Sequence, residues 1–311
     1  MSPTVGTERV TPRTQTTAAR ADRLGRFSPT PLTAALRAMG RTLTLETNSA
    51  TVLRQARRAF EPYGLGSFEQ SEFLWRIVGE PCEQAPDMGP DLNAIASETL
   101  RLAQFGRRGF FAVDLDAREA VACIPETLAA DESAFCGVFL AALFQSTAPA
   151  LRLTQLSAAC LARGGKGLLL FGPSQHQLAE VGRLASRLGL ELHSDHAVFI
   201  DLAGGNAKAW GQWGPNDFKQ PLGSVTPVLS VFLEPEDLQV PLLTPLPARE
   251  YLRRLCEEGM GGAPYPDDRE ATARALGRLP AYRLAYGRDP GAAAVFLHSM
   301  LRTHNLLEAQ S

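Results

Sequence analysis

Four consecutive apolar residues, Leu168-Leu169-Leu170-Phe171, stand between two glycine-bearing turns, Gly164-Gly165-Lys166-Gly167 before them and Gly172-Pro173-Ser174 after. A run this short and this apolar has no polar side to turn toward water. It predicts a strand covered on both faces, as in a sheet with other layers packed on it. Residues 178–188 then carry apolar side chains at helical spacing, and residues 190–193 and 197–202 read as two further strands. Strand, tight glycine turn, helix and strand make the βαβ pattern of α/β domains. α/β is therefore the fold class that the sequence implies.

The rest of the chain divides around this segment. On the usual scale of roughly 100–200 residues per domain, 311 residues make one large domain or two smaller ones. Residues 1–30 are rich in Thr, Arg, Ser and Pro with little periodicity, and residues 1–40 read as a disordered, Arg-rich tail. Seven arginines against Glu8 and Asp22 give residues 1–41 a net charge of +5, and order is expected from about Leu43. Residues 41–150 read as a small α+β section. It has a strand at 42–46, a helix capped by Asn48 or Ser49 with Val52, Leu53, Ala56, Ala59 and Phe60 on one face, and a strand at 73–78. A loop at 81–90, a hairpin at 109–114 and 119–124, and an apolar helix at 133–144 follow. Residues 151–305 hold the α/β segment, then a strand at 228–233, helices at 248–258 and 268–279, a strand at 282–286 and a last helix at 290–302.

Composition excludes several classes. A net charge of −2 argues against a nucleic-acid partner, which calls for a basic excess. No apolar run reaches about 18 residues, so no membrane span is expected, and the N-terminus lacks the apolar stretch of a secretory signal. The five cysteines, Cys82, Cys123, Cys136, Cys160 and Cys256, form no CxxC pair. Four of the five have apolar neighbours and read as small core residues, a usage that fits a reducing cytoplasm.

The turn after the apolar strand carries the chemistry. A working phosphate-binding loop reads G-x-x-x-x-G-K-[ST] between a strand and a helix: the glycines let backbone N–H groups wrap the phosphates, the Lys neutralises their charge and the hydroxyl binds magnesium. Here the segment is Gly172-Pro173-Ser174-Gln175-His176-Gln177-Leu178-Ala179. Gln177 stands in place of the second Gly, Leu178 in place of Lys, and Ala179 in place of Ser or Thr.

GKGLLLFGPS, then a helix, then LELHSDHAVFIDL resembles the HPr kinase-like family of P-loop proteins, whose fold is related to phosphoenolpyruvate carboxykinase. Members commonly read GpSGSGKSTLA … SDD over this stretch. TLTLETNSATVLRQARRAF (residues 42–60) resembles the opening strand and helix of that family. Leu153 to Gly167 resembles its strand and turn before the P-loop, and PAYRLAYG (residues 280–287) its closing strand. The likeness touches most of residues 42–303. Two departures accompany it. Ser157 stands where the family often has His in an L-H-A step, and Asp195-His196 replaces an acidic pair that would bind magnesium and activate the acceptor hydroxyl.

The resemblance implies an HPr-kinase/PEP-carboxykinase-like P-loop core with the small α+β section in front, and relatives that phosphorylate a Ser on a small protein or peptide. Loss of the Lys, the hydroxyl and one carboxylate removes groups individually worth roughly 10²–10³ in rate. The expectation is a pseudokinase, a cytoplasmic protein that binds a protein or peptide partner, needs no cofactor and forms a homo-oligomer as its relatives do. Gly172, Ser174 and His176 would be the remnant of the nucleotide or anion site, His176 meeting an anion at the helix N-terminus. The alternative is an active serine kinase or phosphorylase using ATP and magnesium, with Asp195 as base and Lys166 or an Arg supplying charge. Lys166 lies at the far end of the strand, which weighs against it. His176, His193, Asp195 and His196 also raise a two-His, one-carboxylate metal site, set against a plainer reading as loop residues left over from a lost site. Trp210 and Trp213 read as a core anchor and a turn aromatic, or as a pair that contacts a peptide. His298 and His304 read as solvated residues of the last helix.

Overall fold

The computed structural model describes residues 29–64, 66–81, 92–97, 99–105, 109–211, 223–260, 266–287 and 289–303. Expectations that fall on residues 1–28, on residues 82–90 of the 81–90 loop, Cys82 among them, on Trp213 and on His304 lie outside them.

Regular structure begins at β1 (Leu32–Ala38), which pairs antiparallel with β2 (Arg41–Thr47). The expected tail therefore stops short of residue 32. Alanines at 34, 35 and 38 hide the alternation in sequence, but pairing makes a strand of it. Its turn is Met39-Gly40, both at positive φ (50° and 75°). Met39 accepts that conformation while wholly buried, and the core contact offsets a backbone cost of order 1 kcal/mol. Next come α1 (Ala50–Phe60), β3 (Phe73–Glu80), β4 (Leu92–Ala96), β5 (Leu100–Phe105), β6 (Gly109–Asp114) and β7 (Glu119–Pro125). The sheet order is β1-β2-β3-β7-β6-β5-β4, parallel where β3 meets β2 and β7 and antiparallel elsewhere. Ser49 is the cap of α1, its hydroxyl accepting from the Val52 amide at 3.1 Å.

One face of this sheet is covered by α1, by α2 (Glu126–Ala130) and by a helix that runs as a π-helix over Ser133–Leu140 and continues as α3 (Ala141–Thr147). The stretch Ser133–Leu151 is long and apolar enough to cross a membrane, but Phe135, Phe139, Leu143 and Phe144 are buried in the core. A file of edge-to-face aromatics crosses that core. Trp75 meets Phe60 at 5.9 Å and Phe144 at 6.4 Å, and Phe144 meets Phe199 at 5.5 Å. Each contact contributes roughly 0.5–1.5 kcal/mol beyond area burial.

The second half adds β8 (Leu153–Leu156), β9 (Ala159–Arg163), β10 (Lys166–Phe171), α4 (Gln175–Arg187), β11 (Glu191–Ser194), β12 (Val198–Asp201), β13 (Lys208–Gly211), β14 (Thr226–Pro235), β15 (Leu242–Pro245), α5 (Ala248–Arg254), α6 (Pro266–Leu276), β16 (Ala281–Tyr286) and α7 (Pro290–Thr303). Six strands form a sheet of order β11-β9-β10-β14-β16-β15, in which β10, β14 and β16 run parallel. The apolar run is a central strand, as expected. The βαβ reading needs one change: β9 lies between β10 and β11, so the strand that follows α4 is one place removed from the strand that precedes it. α4 and α7 cover one face through Leu178, Val181, Ala294 and Leu297. On the other face lie Tyr251 and Leu255 of the α5 segment and Leu276 of α6. Tyr251 is pinned there by a buried 2.8 Å hydrogen bond between its hydroxyl and that of Ser230 on β14.

A third sheet, β13-β12-β8, stands between the two cores. Its alternation divides its residues: Leu153 and Phe199 join the front core, whereas Leu156, Val198 and Ile200 join the core beneath β10 and β14.

Candidate functional site

The carboxyl ends of β10, β11 and β14 lie at one edge of the six-stranded sheet, the edge where open α/β sheets bind ligands. Gly172-Pro173-Ser174 leaves β10 there, and these three residues are the whole connection to α4. Ser174 is the helix cap, its hydroxyl accepting from the Gln177 amide at 3.2 Å. Gln175 through Ala179, the span aligned with the body of a phosphate loop, is the first turn of α4. Leu178 does not face an anion as its place in the motif suggests. It is buried, with Cδ2 3.2 Å from where a Cβ on Gly172 would lie. Leu at this position favours the core, so the segment winds into helix and turns that side chain inward. His176 stays exposed on the same turn.

β11 ends at Ser194, short of Asp195, and the chain there leaves the six-stranded sheet for the small one. Ser194 builds the turn: its hydroxyl donates to the Ala197 carbonyl and accepts from the Ala197 amide. Asp195 is buried at 6% exposure. His196 Nδ1 lies 2.5 Å from Asp195 Oδ1, and Arg183 Nη2 of α4 donates to Asp195 Oδ2 at 3.3 Å. The His196 hydrogen bond is the largest influence on the Asp195 carboxyl. Together with Arg183 it outweighs burial and holds the pKa below the ordinary range.

His193 and Asp195 do not share a strand face. A register shift separates Leu192 from Ser194, and His193 is buried at 3% exposure, with neither ring nitrogen in a hydrogen bond of good geometry. Glu191 Oε2 is 3.5 Å from His193 Nε2 and pulls its pKa up less than burial pushes it down. No three His, Cys, Asp or Glu side chains converge to hold a metal among the described residues. Lys166 begins β10, beside Arg163 and Thr226 and at the opposite end from Gly172. Ser157 gives its amide to the Gly259 carbonyl at 2.8 Å. Trp210 on β13 packs against the front core and over Gly40, with Cζ2 3.4 Å from an added Cβ, while His298 is half-buried on α7. Cys123, Cys136 and Cys160 are buried, and Cys256 is exposed.

Sequence reasoning missed a charged cluster beside the same turn. Glu234, near the end of β14, accepts from Arg254 of α5 and from Arg283 of β16. Arg254 also pairs with Glu258 at 2.7 Å, and Arg283 with Glu236. The Arg254 guanidinium lies 4.6 Å above the Phe232 ring. Burial pushes the Glu234 carboxyl up, but the two arginines outweigh it and hold it below its usual range. The i, i+4 spacing of Arg254 and Glu258 is legible in sequence; the partners on β14 and β16 are not.

Fold and site together define a mixed α/β protein with several sheets. No family model matches the chain, and no curated protein matches it. Among solved structures, the HPr(Ser) kinase/phosphatase from Coxiella burnetii is similar at 13% identity, over 49% of this chain and 97% of that one, with a TM-score of 0.30. That likeness is one of fold level only.

Proposed function

We propose that the chain is an HPr-kinase-like P-loop protein that has lost phosphate transfer from ATP and acts by binding a protein or peptide partner. The observation that carries this reading is the state of the Gly172 turn. Its three residues are too few to wrap a phosphate chain, its hydroxyl caps a helix, and the Lys position is a core leucine. The partner half of the reading is supported by the outer face of the front sheet. There Ile95 and Leu102 stand opposite one another on β4 and β5, 70% and 39% exposed, with Leu100 beside them at 43%.

Thermal unfolding with ATP, ADP and GTP, each with and without magnesium, tests the proposal. A nucleotide at about 100 times its Kd would stabilise the fold by roughly 2.7 kcal/mol, a rise of a few degrees. The expected result is no shift with any of them. A magnesium-dependent rise would overturn the reading in favour of a kinase with Asp195 as base.

A further inference from the structure

We propose that residues 1–28 of this chain dock across the outer face of the front sheet, with their arginines on its carboxylates and their few apolar residues on its β4–β7 half. The register lays out that face. Glu46 on β2 stands opposite Arg76 on β3, and Arg76 opposite Val121 on β7. The same row runs on through Ala112 of β6 and Leu102 of β5 to Ile95 of β4. Every residue in it is half-buried or exposed, whereas the alternate residues Leu45, Trp75, Ala120 and Val113 fill the core. The row is ionic at one end and apolar at the other, and Leu100 at 43% exposure widens the apolar end.

The chain's entry point and its charge say what covers this face. The Thr30 hydroxyl donates to Glu46 Oε2 at 3.5 Å, so the segment that precedes β1 arrives at the ionic end of the row. The sheet from β1 to β4 is about 29 Å wide, and 28 residues reach roughly 90 Å when extended. Glu46, Glu80, Asp114 and Glu119 lie on the outer face against Arg37 and Arg76, which leaves it two charges negative. Residues 1–28 hold Arg9, Arg13, Arg20, Arg23 and Arg26 against Glu8 and Asp22, a net charge of +3. Arg76 is taken up by Glu46 and Glu119. Asp114 stands directly opposite Glu119 and has no ion pair among the described residues. Two carboxylates opposed on a sheet repel each other, and an arginine laid over them relieves that repulsion. Val5, Val10, Leu24 and Phe27 supply apolar side chains for the other half. A tethered segment also acts at a local concentration on the order of millimolar, which favours it over a free competitor.

Docking of the segment does not depend on the proposed function. That a partner must displace it from this face does rest on that reading. The test below contains neither nucleotide nor partner, so either one can fail alone.

The test is carbodiimide coupling in the full chain carrying Arg20→Lys, Arg23→Lys and Arg26→Lys, which keeps the charge and supplies amines. Peptide mapping of an equal mixture of light and heavy-isotope chains would locate each new amide and separate links within a chain from links between two. The expected result is coupling of residues 20–26 to Asp114 or Glu119 within one chain, at least tenfold above coupling to the exposed Glu250 and Glu270 of α5 and α6. In a second variant, Arg20→Glu, Arg23→Glu and Arg26→Glu should at least double the binding of an apolar dye, and adding Ile95→Ser and Leu102→Ser should remove that rise. Even coupling over all exposed acids, no coupling, or coupling only between chains, the mark of a second copy on this face, would overturn the proposal.

Discussion

Leu178 occupies the space above Gly172: a methyl group added to that glycine would lie 3.2 Å from Leu178 Cδ2 and 3.5 Å from Leu233 Cβ. The two positions are therefore coupled. Gly172→Ala should destabilise the fold by about 1–2 kcal/mol through crowding, and Leu178→Ala by about 2–5 kcal/mol through the cavity it leaves. The double variant should cost less than the sum by about 0.5 kcal/mol or more. Urea unfolding of the four proteins measures this, and strict additivity would show that the residues do not press on each other.

The same contact forecasts the outcome of an obvious repair. Leu178→Lys puts a Lys where the phosphate-loop pattern has one but places an ammonium in a core site. It should cost roughly 3–5 kcal/mol and bring no nucleotide-dependent rise in melting temperature. A variant that stays fully stable and binds ATP would mean that the first turn of α4 unwinds readily.

Ser174 acts on the helix and on no ligand in this reading. Ser174→Ala should lower stability by about 1 kcal/mol, and Ser174→Asp should keep it or raise it slightly, since Asp caps as well and its charge suits a helix N-terminus. Chemical denaturation distinguishes the two. Equal losses in both variants would place the hydroxyl in some other role.

Two groups beside the Ser194 turn contribute to the acid side of the stability profile. Burial lowers the His193 pKa from its ordinary 6.5. The unfolded chain thus takes up a proton first, and stability falls as pH drops from 6.5 toward the lowered value. Asp195, held below its ordinary 3.8 chiefly by His196, adds stability that is complete above that value and is lost as pH falls through the depressed pKa. His193→Phe should flatten the slope just below pH 6.5 while leaving in place the loss that sets in below 3.8. A slope unchanged in that variant would show that another group carries it.

Glu234 holds two arginines at once. Glu234→Gln leaves Arg254, 9% exposed, with Glu258 alone, and should destabilise the fold by about 2–3 kcal/mol. A loss below 0.5 kcal/mol by urea unfolding would mean that water already screens the cluster.

Much of the fold is legible in sequence where the signal is local. The apolar run at 168–171, the Ser49 cap and the stripe of α1, and the hairpin of β6 and β7 all follow from period and turn chemistry. β1 and β15 were not legible, because Leu32–Ala38 and Leu242–Pro245 become strands only through the neighbours that pair with them. At the site, the departures of Gln177, Leu178 and Ala179 from a phosphate-loop pattern are plain in the sequence, but the burial of Leu178 is not, since motif register and helical register assign that residue opposite surroundings. The Asp195–His196 contact depends on a sheet change after Ser194, and the Glu234 cluster joins residues 20 and 49 positions apart. Beyond the i, i+4 step from Arg254 to Glu258, spacing gives neither contact away.

The small β13-β12-β8 sheet also limits how such a protein can change over generations. Successive residues of β12 answer to different interiors, Phe199 to one and Val198 and Ile200 to the other. Neither half can be traded for an unrelated module without recasting that one strand. Drift in either interior is thereby checked by the other, and a shuffled descendant would have to inherit β12 together with both of its neighbours.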